Sequence, residues 1–228
     1  AWLGPAPKRP FNPNRFHYNW HWFWDYGNGD IGNQGVHELD ICRWGLGLNT
    51  HPGKISSTGA KFVYDDDQET PNTQQAVFDY GRVQILFEVR GLLTNAEGSV
   101  RFDGIHTIGN IFYGANGYMT VDSHSYKVYQ GEKHTLAMEG KVEGPIWDTK
   151  PHLENFLAAV RSRRHEDLTG DILEGHLSAS LCHLANISYR LGRSLKFHAV
   201  EESFPGDAEA NALLSRAYRP PYTIPEPL

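Results

Sequence analysis

The fold predicted is α/β (α+β): an open, mostly antiparallel β-sheet with helices packed on one face. Three observations carry it. Between about Gly53 and Gln130, five to seven short β-rich runs follow one another without intervening helices, which implies antiparallel pairing. Two helical patterns come after them, near 151–164 and 170–191, the second long enough to cover a sheet. A third helix lies ahead of the strands and carries apolar residues on one side and titratable ones on the other.

The elements are justified in chain order. Residues 1–16 hold four prolines and few periodic apolar positions, so they are expected to run extended over a surface as a strap. From His17 to Tyr26 the rings of Tyr18, Trp20, Trp22, Trp24 and Tyr26 alternate with Asn19, His21, Phe23 and Asp25. In an extended strand that alternation puts all five rings on one side. Gly27, Gly29 and Gly32 break the strand and release a helix starting near Asn33, whose end is marked by Gly45 and Gly47. On that helix Val36, Leu39, Arg43 and Leu46 form the core-facing stripe. Asn33, His37, Asp40, Ile41 and Trp44 form the opposite one, which is what the wall of a binding site looks like.

The β-rich runs are KISSTGAKFVY, TQQAVFDY, VQILFEVR, RFDGIHTIGNIFYG and GYMTVDSHSYKVYQ. Tyr80-Gly81-Arg82 reads as a tight hairpin and Gly114-Ala115-Asn116-Gly117 as another turn. The acidic run Asp65 to Glu69 reads as a solvated loop. The first closing helix has Leu153, Phe156, Leu157 and Val160 at helical spacing, with Pro151 in its first turn. The second is capped by Thr169, runs along Leu173, Leu177, Leu181, Leu184, Ile187 and Leu191, and stops at Gly192. Residues 204–228 contain a short helical piece near 208–214 and five prolines, a second strap. Residues 1–228 are read as a single domain, with these two straps at its ends.

With 228 residues, 39% of them hydrophobic, the chain can bury about 70% of its unfolded surface and needs no staples. Its net charge is −6 and its basic residues are scattered apart from Arg161, Arg163 and Arg164, which argues against nucleic acid and against an anionic membrane surface. Cys42 and Cys182 read as two buried thiols, which fits a reducing compartment and a cytoplasmic location, with the periplasm left open. No apolar run reaches the roughly 18 residues of a membrane span, and no leader opens the chain. The chain begins at Ala1, so it is expected to be processed or cut from something longer.

His37 is the leading candidate for chemistry, because an imidazole titrating near neutrality can take a proton from a hydroxyl group. Asp40, one turn on, could fix its tautomer or pair elsewhere. The aromatic run, with Arg15, His17, Asn19 and His21, could stack on and hydrogen-bond a sugar, or could fill a core or subunit interface; Trp20, Trp22 and Tyr26 are its candidate platforms. Gly27-Asn28-Gly29-Asp30-Ile31-Gly32 satisfies G-x-G-x-x-G, but the buried strand and βαβ unit that the dinucleotide fingerprint needs are missing. It is read as a decoy, so no cofactor-binding residues are assigned. His17, His21, His37 and Asp40 are the obvious ligands for a metal, but the predicted strand keeps His17 and His21 from converging, so no metal is assigned. His176 and His183 are read as part of an outer polar stripe, and Cys182 and His183, adjacent on a helix, diverge too far to act as nucleophile and base.

The run GNGDIGNQGVHELDICRWGLG resembles the glycine-rich turn and G-x-H-x-x-D helix of the Gfo/Idh/MocA oxidoreductases. HLENFLAAVRSR, EGHLSASLCHLANISYRLGR and GDAEANALLSRAYRPPY resemble that family's closing helices and tail, in the same order. The resemblance runs from about Trp2 to Tyr222 and covers only the C-terminal substrate-binding domain, a dihydrodipicolinate-reductase-like fold. It implies NAD or NADP held by an N-terminal Rossmann domain absent from this chain, and hydride exchange at a hydroxyl carbon of a sugar, glycoside or cyclitol. It further implies a catalytic Lys in that other domain and a D-x-x-x-H pair here, whose histidine falls on His37 and whose aspartate position is occupied by Asn33. An amide can hold a hydroxyl but cannot tune an imidazole as an anion would. The resemblance also implies a homo-oligomer formed through the open sheet face. The rival readings are a stand-alone sugar lyase, isomerase or hydrolase, cofactor-free or metal-dependent, and a non-catalytic carbohydrate-binding module.

Overall fold

A computed structural model describes residues 1–91, 101–102, 105–106, 108–144 and 148–223. Its contacts divide the chain into two units, residues 1–92 with 176–228, and residues 93–175.

In the first unit a four-stranded antiparallel sheet runs in the order β10-β1-β2-β3, with β1 at Lys54–Ala60, β2 at Thr73–Asp79, β3 at Gln84–Arg90 and β10 at Leu195–Lys196. The β2–β3 hairpin turns where expected: the Tyr80 amide donates to the Val83 carbonyl and Gly81 has φ +78°. The alternation of a half-buried sheet is plain. Gln74, Ala76 and Phe78 on β2 and Ile85 and Val89 on β3 are buried, while Gln75, Leu86 and Glu88 are exposed.

The covered face packs against two helices. Helix α2 (Gly35–Leu46) contributes Leu39, and α4 (Ile172–Leu191) contributes Leu181, Leu184, Ala185 and Ile187. Burying Phe78 and Leu181 completely is worth roughly 1.5–3 kcal/mol each. Polar pins set the register of helix on sheet: Gln74 Nε2 donates to Asn186 Oδ1 at 3.1 Å, and the Ser57 amide donates to Ser188 Oγ at 2.9 Å. Leu195, Phe197, Phe204 and Ala210 complete the core, so the start of the predicted C-terminal strap lies inside it. The two ends are tied to each other, Arg219 donating to the carbonyls of Ala6 and Gly4.

The second unit holds β4 (Arg101–Phe102) paired with β5 (Ile105–His106), and an antiparallel meander of β6 (Asn110–Gly114), β7 (Gly117–Val121), β8 (Ser125–Gln130) and β9 (Thr135–Lys141). The strands are thus shared between separate antiparallel sheets. β9 extends the β-rich region past Gln130: a turn with Gly131 at φ +68° and His134 at φ +49° reverses the chain and lets Thr135 pair with Gln130. Helix α3 (Lys150–Ser162) ends where Arg163 turns left-handed at φ +60°. Its predicted core stripe is not covered, since Leu153, Phe156, Leu157 and Val160 are all exposed.

Three local expectations are corrected. The aromatic stretch is not a strand: His17–Trp22 is a 3-10 helix that follows a shorter one at Pro13–Arg15. Two-residue alternation suits a strand only where a neighbouring ladder takes up the backbone groups, and here the chain instead closes on itself in 3-10 turns, as in the Phe23 amide bonding to the Trp20 carbonyl. The central helix starts earlier and in two pieces, α1 (Asp30–Asn33) and then α2, with Gln34 between them. The N-terminal cap of α4 is Asp171, whose Oδ1 accepts from the Leu173 amide, whereas Thr169 is bound to the Asn155 side chain.

Candidate functional site

Helix α2 has the two sides the sequence called for. Leu39 and Arg43 are buried while His37, Asp40 and Trp44 are exposed, Trp44 at 83%. The helix is fixed from beneath by Arg43, whose Nη1 donates to Ser178 Oγ at 2.7 Å; the same hydroxyl donates to Asp40 Oδ1 at 2.5 Å. Asp40 therefore pairs elsewhere than with His37, closing an Asp40–Ser178–Arg43 cluster that locks α2 onto α4. No hydrogen bond engages the His37 side chain among the described residues, so both ring nitrogens are available to a ligand.

One turn before His37, Asn33 Nδ2 donates to the Tyr18 hydroxyl at 3.2 Å. The 3-10 helix sets Tyr18 and His21 three residues apart on one edge, with ring centroids at 4.5 Å, and Trp20 stacks on His21 at 3.8 Å. Tyr18, His21, Trp20 and Asn33 thus form a connected group, with His37 a turn beyond. The link to Tyr18 was not legible, because a strand would have turned Tyr18 to the same side as Trp22 and Tyr26.

The remaining candidates are dispersed. The Trp22 indole donates to Asp30 Oδ1 at 3.0 Å and its carbonyl accepts from the amides of Glu69 and Thr70, which pins the 65–69 loop beside it. His17 is exposed at φ +53° with its ring 4.1 Å from that of Phe16. Arg15 and Tyr26 line a different cavity, of about 590 Å3, with Trp2, Phe16 and Arg219. In it Arg15 Nε and the Tyr26 hydroxyl are buried without a partner.

The G-x-G-x-x-G run is spent on packing. A Cβ at Gly27 would fall 2.4 Å from the His21 carbonyl oxygen, and Gly29 adopts φ +77° against Thr70. The amides of Gly29, Gly32 and Asn33 are all bonded to backbone carbonyls, so the loop offers them to no phosphate. The thiols are inert as nucleophiles: burial pushes Cys42 and Cys182 each up to about 12, and Cys182 Sγ donates to the Ile31 carbonyl.

Sequence reasoning missed a second cluster. Among the described residues, one group of His, Cys, Asp or Glu side chains has ligating atoms that converge, and it is His51, His176 and Glu202; His17, His21, His37 and Asp40 do not form one. Glu202 Oε1 accepts from His51 Nε2 at 2.8 Å and from His176 Nε2 at 2.7 Å. His176 is therefore no bland member of an outer stripe. His51 lies more than a hundred positions from both His176 and Glu202, which are themselves 26 apart, so the three leave no local signature.

A family described as "Oxidoreductase family, C-terminal alpha/beta domain", the second C-terminal domain type of the Gfo/Idh/MocA proteins, matches residues 1–88 and 103–224. No curated protein matches the chain. Solved structures share its fold. A protein assigned as an oxidoreductase from Thermotoga maritima superposes with a TM-score of 0.56 at 17% identity, over 85% of this chain and 52% of that one. One assigned as an NADPH-dependent oxidoreductase from Desulfitobacterium hafniense gives 0.53 at 14%, over 78% and 51%. YvaA from Bacillus subtilis, also assigned as an oxidoreductase, gives 0.52 at 13%, over 74% and 51%. The chain spans about half the length of these structures. Among the described residues no helix is long and apolar enough to cross a membrane.

Proposed function

The chain belongs to the Gfo/Idh/MocA oxidoreductase family as a C-terminal α/β domain, and from that premise we propose that it is the substrate-binding and acid/base half of an NAD(P)-dependent oxidoreductase acting on a hydroxyl group of a sugar, glycoside or cyclitol. The observation that carries this reading is His37: exposed, unbonded among the described residues, and held on a helix whose other side is locked into the core by Leu39 and Arg43. A nicotinamide bound by another domain would exchange the hydride. The residues of this chain do the rest. His37 takes the proton of the reacting hydroxyl, and Asn33 with Tyr18 offers an amide and a phenol to a neighbouring hydroxyl. Trp20 and His21, stacked together, supply an apolar face for the ring of the substrate.

The second sheet supports assembly into a homo-oligomer. Tyr113, Tyr118, Tyr129 and Leu136 stand in register across its four strands, with Tyr113 80% exposed, and an aromatic row of this kind is protected best by a second copy. Size-exclusion chromatography with light scattering tests this part; a monomer at micromolar concentration refutes it.

The catalytic part is tested in the full-length gene product, with NAD or NADP and a panel of sugars and cyclitols. His37→Ala is expected to lower kcat/KM by about 10²–10⁴-fold at unchanged melting temperature. A His37→Ala protein as active as the parent would overturn the assignment.

A further inference from the structure

We propose that His51, His176 and Glu202 form a binding site for one divalent transition-metal ion of the zinc class, independent of the hydroxyl chemistry assigned to His37. The three donors come from separate segments that only the fold brings together: His51 from the loop after α2, His176 from α4, and Glu202 from the loop between β10 and α5 (Ala208–Asn211). Their ligating atoms all lie within 4.8 Å of one another, and both imidazoles present Nε2 to the same carboxylate oxygen. Two imidazoles and one carboxylate are a donor set suited to zinc, whereas magnesium and calcium call for oxygen alone.

The set is held in place before any ion arrives. His51 is 5% exposed and its ring is wedged edge-on against Phe197 at 5.5 Å and against His176 at 5.5 Å. Its Nδ1 is buried without a partner, so the one polar attachment of the ring is at the Nε2 end, which faces Glu202. Glu202 sits at φ +47°, a left-handed conformation that side-chain-bearing residues rarely adopt, while its carboxylate is turned back to the two rings. Without an ion, both Nε2 atoms carry hydrogen to bond that oxygen; with a cation on both Nε2 atoms, each neutral ring carries its one hydrogen on Nδ1 instead, and the carboxylate offsets part of the ion's charge. Half of the His176 and Glu202 side-chain surface remains open to solvent, which leaves an entry path and room for a water as fourth ligand.

The test is titration of the purified chain with cobalt(II), followed by its visible ligand-field absorption, and with zinc by calorimetry. One equivalent of each ion is expected to bind, with a cobalt spectrum of a four-coordinate site. His176→Ala and Glu202→Gln, both at half-exposed positions, are expected to abolish that spectrum. Each should weaken zinc binding by at least about tenfold, since changes beyond the ligands alone cost about 10–100-fold at such sites. The proposal fails if the parent protein binds neither ion one to one, or if both variants bind zinc as tightly as the parent, which would place the ion on other imidazoles. His37→Ala should bind both ions unchanged, so this result and the hydride-transfer reading stand or fall separately.

Discussion

The contact that seats the site helix on the sheet can be tested through a single hydrogen-to-methyl change. Gly35 is buried at the first position of α2, and a Cβ there would lie 2.4 Å from Phe87 Cζ and 2.9 Å from Cε2. Carbon atoms pack at about 3.5–4.0 Å, so Gly35→Ala must push the ring or the helix aside by about 1.1–1.6 Å. Two effects oppose each other. Alanine is preferred to glycine in a helix by about 0.8–1.0 kcal/mol, and overpacking of a core costs about 1–3 kcal/mol. The net expectation is a loss of about 1 kcal/mol, with overpacking the larger effect. In a Phe87→Ala background the obstacle is gone and only the helix preference remains, so the same substitution should stabilise by up to about 1 kcal/mol. The assay is urea unfolding followed by tryptophan fluorescence, which reports mainly on the first unit because five of the six tryptophans, Trp2, Trp20, Trp22, Trp24 and Trp44, lie in it. A change of sign between the two backgrounds is the expected result. The same sign in both, at unchanged denaturant slope, refutes the reasoning that Gly35 is required by the close approach of Phe87.

Further outcomes follow from the polar clusters. Ser178→Ala removes an acceptor of the buried Arg43 and a donor to Asp40, and is expected to cost about 1–3 kcal/mol in urea unfolding. Arg43→Ala should cost more, about 3–5 kcal/mol, because it also empties a fully buried volume. Phe78→Ala, at the centre of the covered sheet face, is expected to cost about 3–5 kcal/mol. Asp207 caps α5 through the Ala210 amide and grips Arg193, which holds its carboxyl below the ordinary value. A depressed carboxylate contributes stability above its unfolded pKa of about 3.9 and loses it as pH falls through the folded value. Asp207→Asn should therefore lower the urea midpoint at pH 7 and lower it less as the pH falls below that unfolded value, and an effect that does not shrink there would refute that role.

Sequence pattern alone determined a good deal. It determined the family, the antiparallel strands and their two hairpin turns, and the two-sided helix with Leu39 and Arg43 inward and His37 outward. These are local or periodic properties: strand alternation, a helical stripe, a glycine at a turn and a run of motif residues all lie within a few positions of one another. The tertiary structure decided what depends on which segments meet. It turned the aromatic stretch from strand to 3-10 helix, since no neighbouring ladder takes up its backbone groups, and so joined Tyr18 to Asn33. It drew Asp40 away to Ser178 and Arg43, and it gathered Arg15 and Tyr26 into a separate cavity. It also placed His51, His176 and Glu202 within bonding distance across more than a hundred residues of chain. Long-range contacts of that kind leave no spacing in the sequence to read, because the loops between them set neither direction nor distance until the core has packed.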